Sequence, residues 1–333
     1  MLVTPESNQA NQRFALAISL VAALALAGLG FASPGWWFAI PLCFGIYHFL
    51  RRTTVRRLNV IAAPFPDAWE ETLLTYVAFF RVLNDEQKER FRSLVKVFLD
   101  EVPITGIRTD VDDATSALVA ASAVIPVFGF DDWEYSGLGE VLIYPTAFGE
   151  NYQVDDGTGD KSDHNILGMI GTNHLSGIMI LSKADLFAGF SNPEDKRNVG
   201  IHEFSHLVDK ADGSVDGIPA GIPGATVEPW IRWVGEELKS TKSRGHHIND
   251  YAYTNEAEYF AVLSEYFFEA PDILQKKNPE LYQMLESIYR QKTKSFLSST
   301  GRRPKRIGRN APCPCGSGEK FKRCCRRKSK RRL

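Results

Sequence analysis

The chain has 333 residues, 44% of them hydrophobic, which is enough for one sizeable core with appendages. The net charge of −1 hides an uneven distribution, because residues 302–333 hold fourteen Lys and Arg against one Glu and carry +13, which leaves −14 on residues 1–301. Four of the five cysteines lie within thirteen residues of this tail, which excludes a scattered disulfide framework and favours one metal cluster. The acidic body and the basic tail are therefore predicted to have different roles.

The N-terminal segment predicts a membrane anchor. Neither Lys, Arg, Asp nor Glu occurs from Phe14 to Leu50. The run "FALAISLVAALALAGLGFA" is long enough to span a hydrocarbon core as a helix. "SPG" at Ser33–Gly35 breaks the run, and "WWFAIPLCFGIYHFL" follows with its tryptophans where an interfacial belt would lie.

We interpret residues 1–57 as a transmembrane helical hairpin, with helices at 14–32 and 36–50 and a short outer turn. The positive-inside tendency keeps the arginines of "RRTTVRR" in the cytoplasm, together with everything after them. These arginines are Arg51, Arg52, Arg56 and Arg57. The sequence thus predicts an inner (cytoplasmic) membrane protein whose body faces the cytoplasm. A cleaved signal peptide, a buried core helix, and a single span followed by an interfacial piece are the alternatives, and the last would put the body outside.

The body, residues 58–300, shows the patterns of an α+β fold. "DAWEETLLTYVAFFRVL" and "NDEQKERFRSLVKVFLDE" have helical spacing, and Asn84 caps the second. "ALVAASAVIPVFGF" fits a helix or a strand, whereas "GEVLIYP" and "SGIMILS" predict strands separated by a loop or a long-tipped hairpin at Gly149–His174. Further helices are predicted at 225–241, 255–270 and 278–298.

The stretch "NVGIHEFSHLVDKADG" predicts a zinc site on a helix. Asn192 is placed to cap this helix, and Asp212–Gly213 ends it. His202 and His206 lie one turn apart, and two imidazoles at that spacing can bind one Zn²⁺. Glu203 would then point at the water in the open coordination position. The alternative is that this H-E-x-x-H pattern occurs by chance. A catalytic zinc site needs a third protein ligand, so the presence of such a ligand elsewhere in the chain distinguishes the two interpretations.

The stretch "DYAYTNEAEYFAVLSEYFFEAP" offers that third ligand. It predicts a helix starting at Asn255 on which Glu258 and Glu265 lie seven residues apart on one face. Glu258 also stands three residues after Asn255, where it could be half of a capping box. The spacing alone leaves both glutamates as candidates.

The two stretches together resemble the Mlc titration factor A family of zinc-dependent peptidases, over roughly residues 60–295. That family is similar in its catalytic core to anthrax lethal factor. The resemblance implies a zincin-like metallopeptidase core, with the motif helix and the third-ligand helix packed against a small mixed sheet. It makes Glu258 the third ligand and Tyr251 a residue that assists catalysis, with Tyr253 as the alternative donor. Family members often have proline where this chain has Glu256, and they commonly lack the hairpin and the cysteine tail.

These assignments predict a mechanism of peptide hydrolysis. Zn²⁺ lowers the pKa of its water, and Glu203 takes the proton as that water attacks a peptide carbonyl and passes it to the leaving amine. Tyr251 donates to the developing oxyanion. "SGIMILS" could be an edge strand that pairs with an extended peptide or protein substrate. The resemblance also implies an interaction role, in which the fold sequesters a transcriptional regulator of sugar uptake.

The tail, residues 301–333, predicts a second zinc site. "RNAPCPCGSGEKFKRCC" places four thiols around a tight turn, which is typical of a closed structural zinc set: Cys313, Cys315, Cys324 and Cys325. Adjacent cysteines and a cytosolic body disfavour disulfides. The stretch is similar to the SEC-C motif at the end of the SecA translocation ATPase, which implies a zinc-binding interaction module. Its Lys and Arg predict contact with ribosomal RNA, an acidic protein or anionic lipid, with a solvated tail as the alternative.

Overall fold

A computed structural model describes most of the chain as helices around one small sheet. The described residues are 2–146, 168–170, 177–191, 196–219, 221–239, 248–294, 308–313 and 318–324. The chain divides into two compact units, Met1–Pro64 and Phe65–Leu333.

The first unit consists of two helices joined by a 3-10 turn. Helix α1 is Pro5–Ala32, the turn is Pro34–Ala39, and helix α2 is Pro41–Ala62. Helix α2 extends beyond the predicted end at residue 50, because "RRTTVRRLNVIA" holds no breaker before Pro64. Among the described residues one helix, Pro5–Phe31, is long and apolar enough to cross a membrane. Signal sequences share that length and composition.

Polar contacts fix how α1 and α2 pair. Asn11 Nδ2 donates to the Leu50 carbonyl at 3.4 Å, and Arg51 Nη1 donates to the carbonyl and the side-chain oxygen of Asn8 at 3.1 and 3.0 Å. The polar start of α1 therefore lies level with the end of the apolar half of α2. Trp36 and Trp37 lie in the turn at the opposite end, each almost half exposed.

The second unit begins with four helices. They are α3 at Asp67–Tyr76, α4 at Ala78–Val82, α5 at Asp85–Glu101 and α6 at Asp113–Val127. The first predicted helix is interrupted at Val77, whose backbone is extended, and so forms α3 and α4. Asn84 caps α5 in a reciprocal capping box with Gln87, as the sequence predicts. The ambiguous apolar run is helical and almost wholly buried in α6.

The sheet has four short strands in the order β1-β2-β4-β3. These are β1 at Ile104–Gly106, β2 at Glu140–Tyr144, β3 at Gly168–Ile170 and β4 at Ile178–Ser182. Strands β1, β2 and β4 are parallel, and β3 is antiparallel to β4. The sequence left open whether "SGIMILS" forms an edge, and the structure places it inside the sheet, because β4 pairs with both β2 and β3. Most of the predicted loop at Gly149–His174 lies outside the described residues.

In the described part of the second unit, six more helices follow. They are α7 at Lys183–Ser191, α8 at Val199–Asp209, α9 at Gly224–Lys239, α10 at Glu256–Glu269, α11 at Pro271–Lys277 and α12 at Pro279–Tyr289. Helix α12 ends well before the predicted residue 298, because Arg290 takes a left-handed conformation with φ 53°. The sequence patterns did not predict α7 or β1.

Helix α8 packs closely at the centre of this unit. Gly200 faces α6, where an added Cβ would overlap the Ser122 hydroxyl. On another side, the Tyr289 hydroxyl of α12 is 2.5 Å from Ser264 Oγ of α10 and donates to Ser205 Oγ of α8 at 3.3 Å. These hydroxyls are buried, so their hydrogen bonds hold α8, α10 and α12 together.

Candidate metal centre

The N-terminus of α8 lies later than the sequence predicts. The Asn198 side chain accepts from the Ile201 N–H at 3.1 Å and caps the helix. Lys196 has φ 61°, a left-handed conformation that a helix cannot contain. Asn192, the predicted cap, lies outside the described residues, but the extended backbone of Asn198 shows that α8 does not reach back to it.

Three side chains from α8 and α10 converge. His202 Nε2 lies 3.0 Å from Glu258 Oε2, and His206 Nε2 lies 3.6 Å from Glu258 Oε1. One ligand atom from each of the three lies within 4.8 Å of the others. Two ligand atoms on one tetrahedral zinc lie roughly 3.3 Å apart. The separations therefore suit a single zinc ion.

Glu258 has a backbone role and a side-chain role at the start of α10. Its N–H donates to Asn255 Oδ1 at 2.8 Å, so Asn255 caps the helix as the capping-box alternative requires. Its carboxylate nevertheless faces the histidines. Burial would raise the pKa of Glu258, but hydrogen bonds to His202 and His206 outweigh burial and hold it well below its ordinary value. The carboxylate is thus ionised, as a metal ligand must be.

Glu265, the other candidate ligand, lies at the far nitrogen of His202. Its Oε1 is 2.8 Å from His202 Nδ1, and its Oε2 accepts from the Asn198 N–H at 2.5 Å. It therefore lies outside the convergent trio. Burial lowers the pKa of His202, but hydrogen bonds to Glu258 and Glu265 outweigh that effect and raise it well above its ordinary value.

Glu203 is buried beside the two histidines, only 6% exposed. Burial is the main cause that raises its pKa. The neighbouring His202 and His206 act in the opposite direction, and Glu258 and Glu265 add to the rise. A carboxyl group with a raised pKa can both accept and return a proton near neutral pH.

The two candidate tyrosines point to different neighbours. Tyr251 lies in a 3-10 turn at Asp250–Thr254, 53% exposed, with its ring centroid 6.1 Å from that of His202. Partial burial and the nearby Glu258 raise its pKa to about 12, so it stays protonated. The Tyr253 hydroxyl instead lies 3.4 Å from Glu237 of α9. Tyr251 is therefore the tyrosine beside the convergent trio.

The sequence patterns missed the loop after α8. Asp209 Oδ2 accepts from the Gly217 N–H at 2.9 Å, and the Gly217 carbonyl accepts from Trp230 Nε1 at 2.7 Å. Gly217 has φ 75°, and an added Cβ would collide with the backbone of Glu256. This glycine thus lets the loop lie against the start of α10, beside Glu258. The only sequence signal is a glycine following an aspartate, which is too common to identify the role.

The donor chemistry fits a divalent metal ion. Two imidazoles and one carboxylate are the three protein ligands of many catalytic zinc sites, which keep a fourth position open. Glu203 and Glu265 add two buried carboxylates, and burying negative charge without a counter-charge is costly. A bound Zn²⁺ would balance it. His206 Nδ1 is buried and has no hydrogen-bond partner among the residues the structure describes.

The tail is described around half of its cysteines. Cys313 is buried and Cys324 partly buried, and both are outside any disulfide. The Cys313 N–H donates to the Glu319 carbonyl at 2.7 Å, and the Phe321 N–H donates to the Ala311 carbonyl at 2.8 Å, on either side of an antiparallel bridge between Pro312 and Lys320. The other two cysteines of the predicted zinc set, Cys315 and Cys325, lie outside the described residues.

The H-E-x-x-H helix and the carboxylate from a following helix place the chain in the metallopeptidase class. Residues 50–290 match the family model described as glucose-regulated metallo-peptidase M90, and residues 309–327 match the SEC-C motif. The chain belongs to the M90 metallo-peptidase family.

Curated relatives cover most of the chain. It is 31% identical over 234 residues to Mlc titration factor A of Escherichia fergusonii, spanning 67% of this chain and 85% of that protein. Mlc titration factor A of Cronobacter sakazakii is 30% identical over 248 residues, 71% of this chain and 90% of its own length. An uncharacterized protein of Synechocystis sp. is 26% identical over 241 residues, 70% of this chain and 87% of its own.

Replacing Glu258 tests the metal centre. We expect Glu258→Ala to weaken zinc binding by more than about 100-fold, because a direct ligand should matter more than the groups that only orient ligands. Glu256→Ala is the matched control, since it removes an exposed carboxylate two residues earlier on the same helix. Competition with a chromophoric chelator measures both affinities. Equal affinities would remove Glu258 from the ligand set.

Proposed function

We propose that the chain is a zinc-dependent metallopeptidase that hydrolyses peptide bonds. The convergence of His202, His206 and Glu258 beside a buried Glu203 carries the proposal. Membership of the M90 family supports it. When bound at this centre, zinc supplies Lewis acidity, which lowers the pKa of a water and polarises a carbonyl.

In the proposed mechanism, Glu203 transfers the proton and Tyr251 stabilises the developing negative charge. The Glu203 carboxylate takes a proton from the attacking water and returns it to the nitrogen of the leaving amine. Its buried position next to the histidines favours this exchange, because a raised pKa brings the carboxyl closer to neutral pH. The Tyr251 hydroxyl keeps its proton and donates a hydrogen bond to the oxygen of the attacked carbonyl.

We assign the binding of an extended peptide or protein substrate to the edge at β3. Among the strands in the described part of the chain, β3 is outermost on its side of the sheet, and it packs next to α8. A substrate strand added there would gain main-chain hydrogen bonds close to the motif helix. The strand "SGIMILS", which is β4, lies inside the sheet and so cannot bind a peptide along its edge.

A second candidate role is the binding of a transcriptional regulator. Relatives that are about 30% identical carry the name Mlc titration factor A, which describes an action on Mlc. The same fold could sequester a regulator of sugar uptake without cleaving it. An intact set of metal-ligating side chains favours the peptidase as the first role.

We propose that residues 1–57 anchor the chain in the inner (cytoplasmic) membrane as a hairpin. The contacts of Asn8 and Asn11 with Leu50 and Arg51 join the polar parts of α1 and α2, which supports a hairpin with both of these parts on the same side. The positive-inside tendency puts that arginine-rich side, and with it the peptidase domain at 58–300, in the cytoplasm.

We further propose that residues 301–333 bind a second, structural zinc through the four cysteines and form an interaction module. The SEC-C match and the backbone hydrogen bond from Cys313 to Glu319 support a zinc-binding module in the tail. The surplus of Lys and Arg suits ribosomal RNA, an acidic protein or anionic lipid as the partner.

Glu203→Gln separates catalysis from metal binding. The variant should keep its zinc, because Glu203 is not a ligand, while peptidase activity falls about 100-fold or more. Glu236→Gln, an exposed position on α9, controls for the loss of one charge. Zinc content and hydrolysis of a peptide library are measured together. Full activity in Glu203→Gln, or loss of its zinc, would show that the base is misassigned.

Reporter fusions test the topology. A reporter fused after Leu333 should behave as cytoplasmic, because both ends of the hairpin lie on the arginine-rich side. The same reporter fused after Gly35, in the turn, should behave as external. An external readout from the full-length fusion would favour a single span or a cleaved signal.

Metal analysis tests the second zinc. The full-length chain should hold two zinc ions, and a chain ending at Thr300 should hold one and keep its activity on small peptides. Thiol-modifying reagents should release only the tail zinc, because no cysteine contributes to the body centre and a small thiolate loop folds only with its metal. One zinc in the full-length chain would remove one of the two sites. Activity lost on truncation would show that the tail shapes the body centre.

A further inference from the structure

Glu265 is a buried carboxylate that the proposed mechanism does not use. It is 7% exposed, and both of its oxygens are occupied. Oε1 lies 2.8 Å from His202 Nδ1, and Oε2 accepts from the Asn198 N–H at 2.5 Å. Two short hydrogen bonds to a buried carboxylate restrict both its position and that of its partners.

We propose that Glu265 is a positioning residue that selects the tautomer and fixes the ring orientation of His202. This inference rests on the proposed metal centre. A ring that ligates a metal through Nε2 carries its proton on Nδ1, and Glu265 Oε1 lies 2.8 Å from Nδ1, placed to accept that proton in a hydrogen bond. The lone pair then lies on Nε2, which is the nitrogen that faces Glu258. Glu265 thus prepares His202 to bind the metal through Nε2.

Asn198 extends this arrangement from the ligand to the start of the motif helix. Its Oδ1 caps α8 through the Ile201 N–H, and its Nδ2 donates to Glu269 Oε1 at 3.2 Å. Glu265 and Glu269 lie one turn apart on α10. Glu265 therefore contacts both the start of α8 and the ring of His202, whereas Glu269 contacts the Asn198 side chain.

The two histidines of the centre are held differently. His202 has a carboxylate on its far nitrogen, whereas the far nitrogen of His206 is buried without a partner in the described part of the chain. We infer that His202 is the preorganised ligand of the pair. A change at Glu265 should therefore directly alter the Nδ1 hydrogen bond of His202 and leave the Nδ1 of His206 without a partner among the described residues, as before.

Glu265→Gln in the full-length chain tests the proposal. A glutamine has one oxygen and one NH₂ group where the glutamate has two oxygens, so either Asn198 or His202 faces an NH₂ group instead of an acceptor. We expect zinc affinity to fall about 10- to 100-fold, the range typical of lost orienting groups. Glu269→Gln is the matched control, because it removes the same charge one turn away but keeps an oxygen for Asn198 Nδ2. It should bind zinc as tightly as the wild type.

A spectroscopic readout distinguishes positioning from a general loss of stability. With zinc bound and histidine nitrogens labelled, the NMR spectrum of the wild type and of Glu269→Gln should show a strongly hydrogen-bonded proton on His202 Nδ1. Glu265→Gln should lose or shift that signal. If Glu265→Gln fails to fold, Glu265→Asp carries the test, since its shorter carboxylate cannot hold both partners and should also weaken zinc binding.

The outcomes separate this inference from the proposed function. Wild-type affinity with an unchanged Nδ1 signal in Glu265→Gln, or in Glu265→Asp where that variant is needed, overturns the positioning role. A wild-type chain that binds no zinc, or that binds it undiminished in Glu258→Ala, overturns the metal centre itself.

Discussion

The position of His202 between two carboxylates is the interaction on which the candidate site depends. Glu258 and Glu265 come from one helix, α10, and they contact opposite nitrogens of a ring on α8. A single imidazole therefore fixes how far α8 can slide or rotate against α10. His206 follows one turn later, and its distance to Glu258 is set by the same packing.

This arrangement gathers negative charge in a region with little water. Glu203 and Glu265 are buried, and Glu258 is largely shielded. The histidines offset part of this charge, and the cost of burying the rest is the physical reason to expect a divalent cation. The buried negative charge of these carboxylates destabilises this part of the core, and the same charge would favour the binding of a divalent cation.

Local sequence features predicted much of the fold. The Asn84 cap, the strands β2 and β4, and the spacing of His202 and His206 depend on residues close in sequence, and these features are present in the structure. Whether β4 forms an edge could not be predicted, because strand order depends on partners distant in sequence. The cap of α8 was placed six residues early, since Asn192 and Asn198 have the same capping chemistry and local sequence does not rank them; Asn198 caps the helix through the Ile201 N–H.

Local sequence features also could not identify the candidate third ligand. Glu258 and Glu265 share one face of α10, so helical spacing could not rank them without the resemblance to a known family. The structure shows that both contact His202, one on each nitrogen. Helical periodicity therefore identified the face of α10 that contacts His202. It could not give the position of α8 along that face.

The hydroxyls of Ser205, Tyr289 and Ser264 have a consequence for biosynthesis. Tyr289 is the last residue of α12, and it joins α8 to α10 from behind the candidate site. Both ligand-bearing helices therefore leave the ribosome before the side chain that holds them together. The hydrogen bonds that join α8 to α10 through Tyr289 can therefore form only after translation has passed that residue.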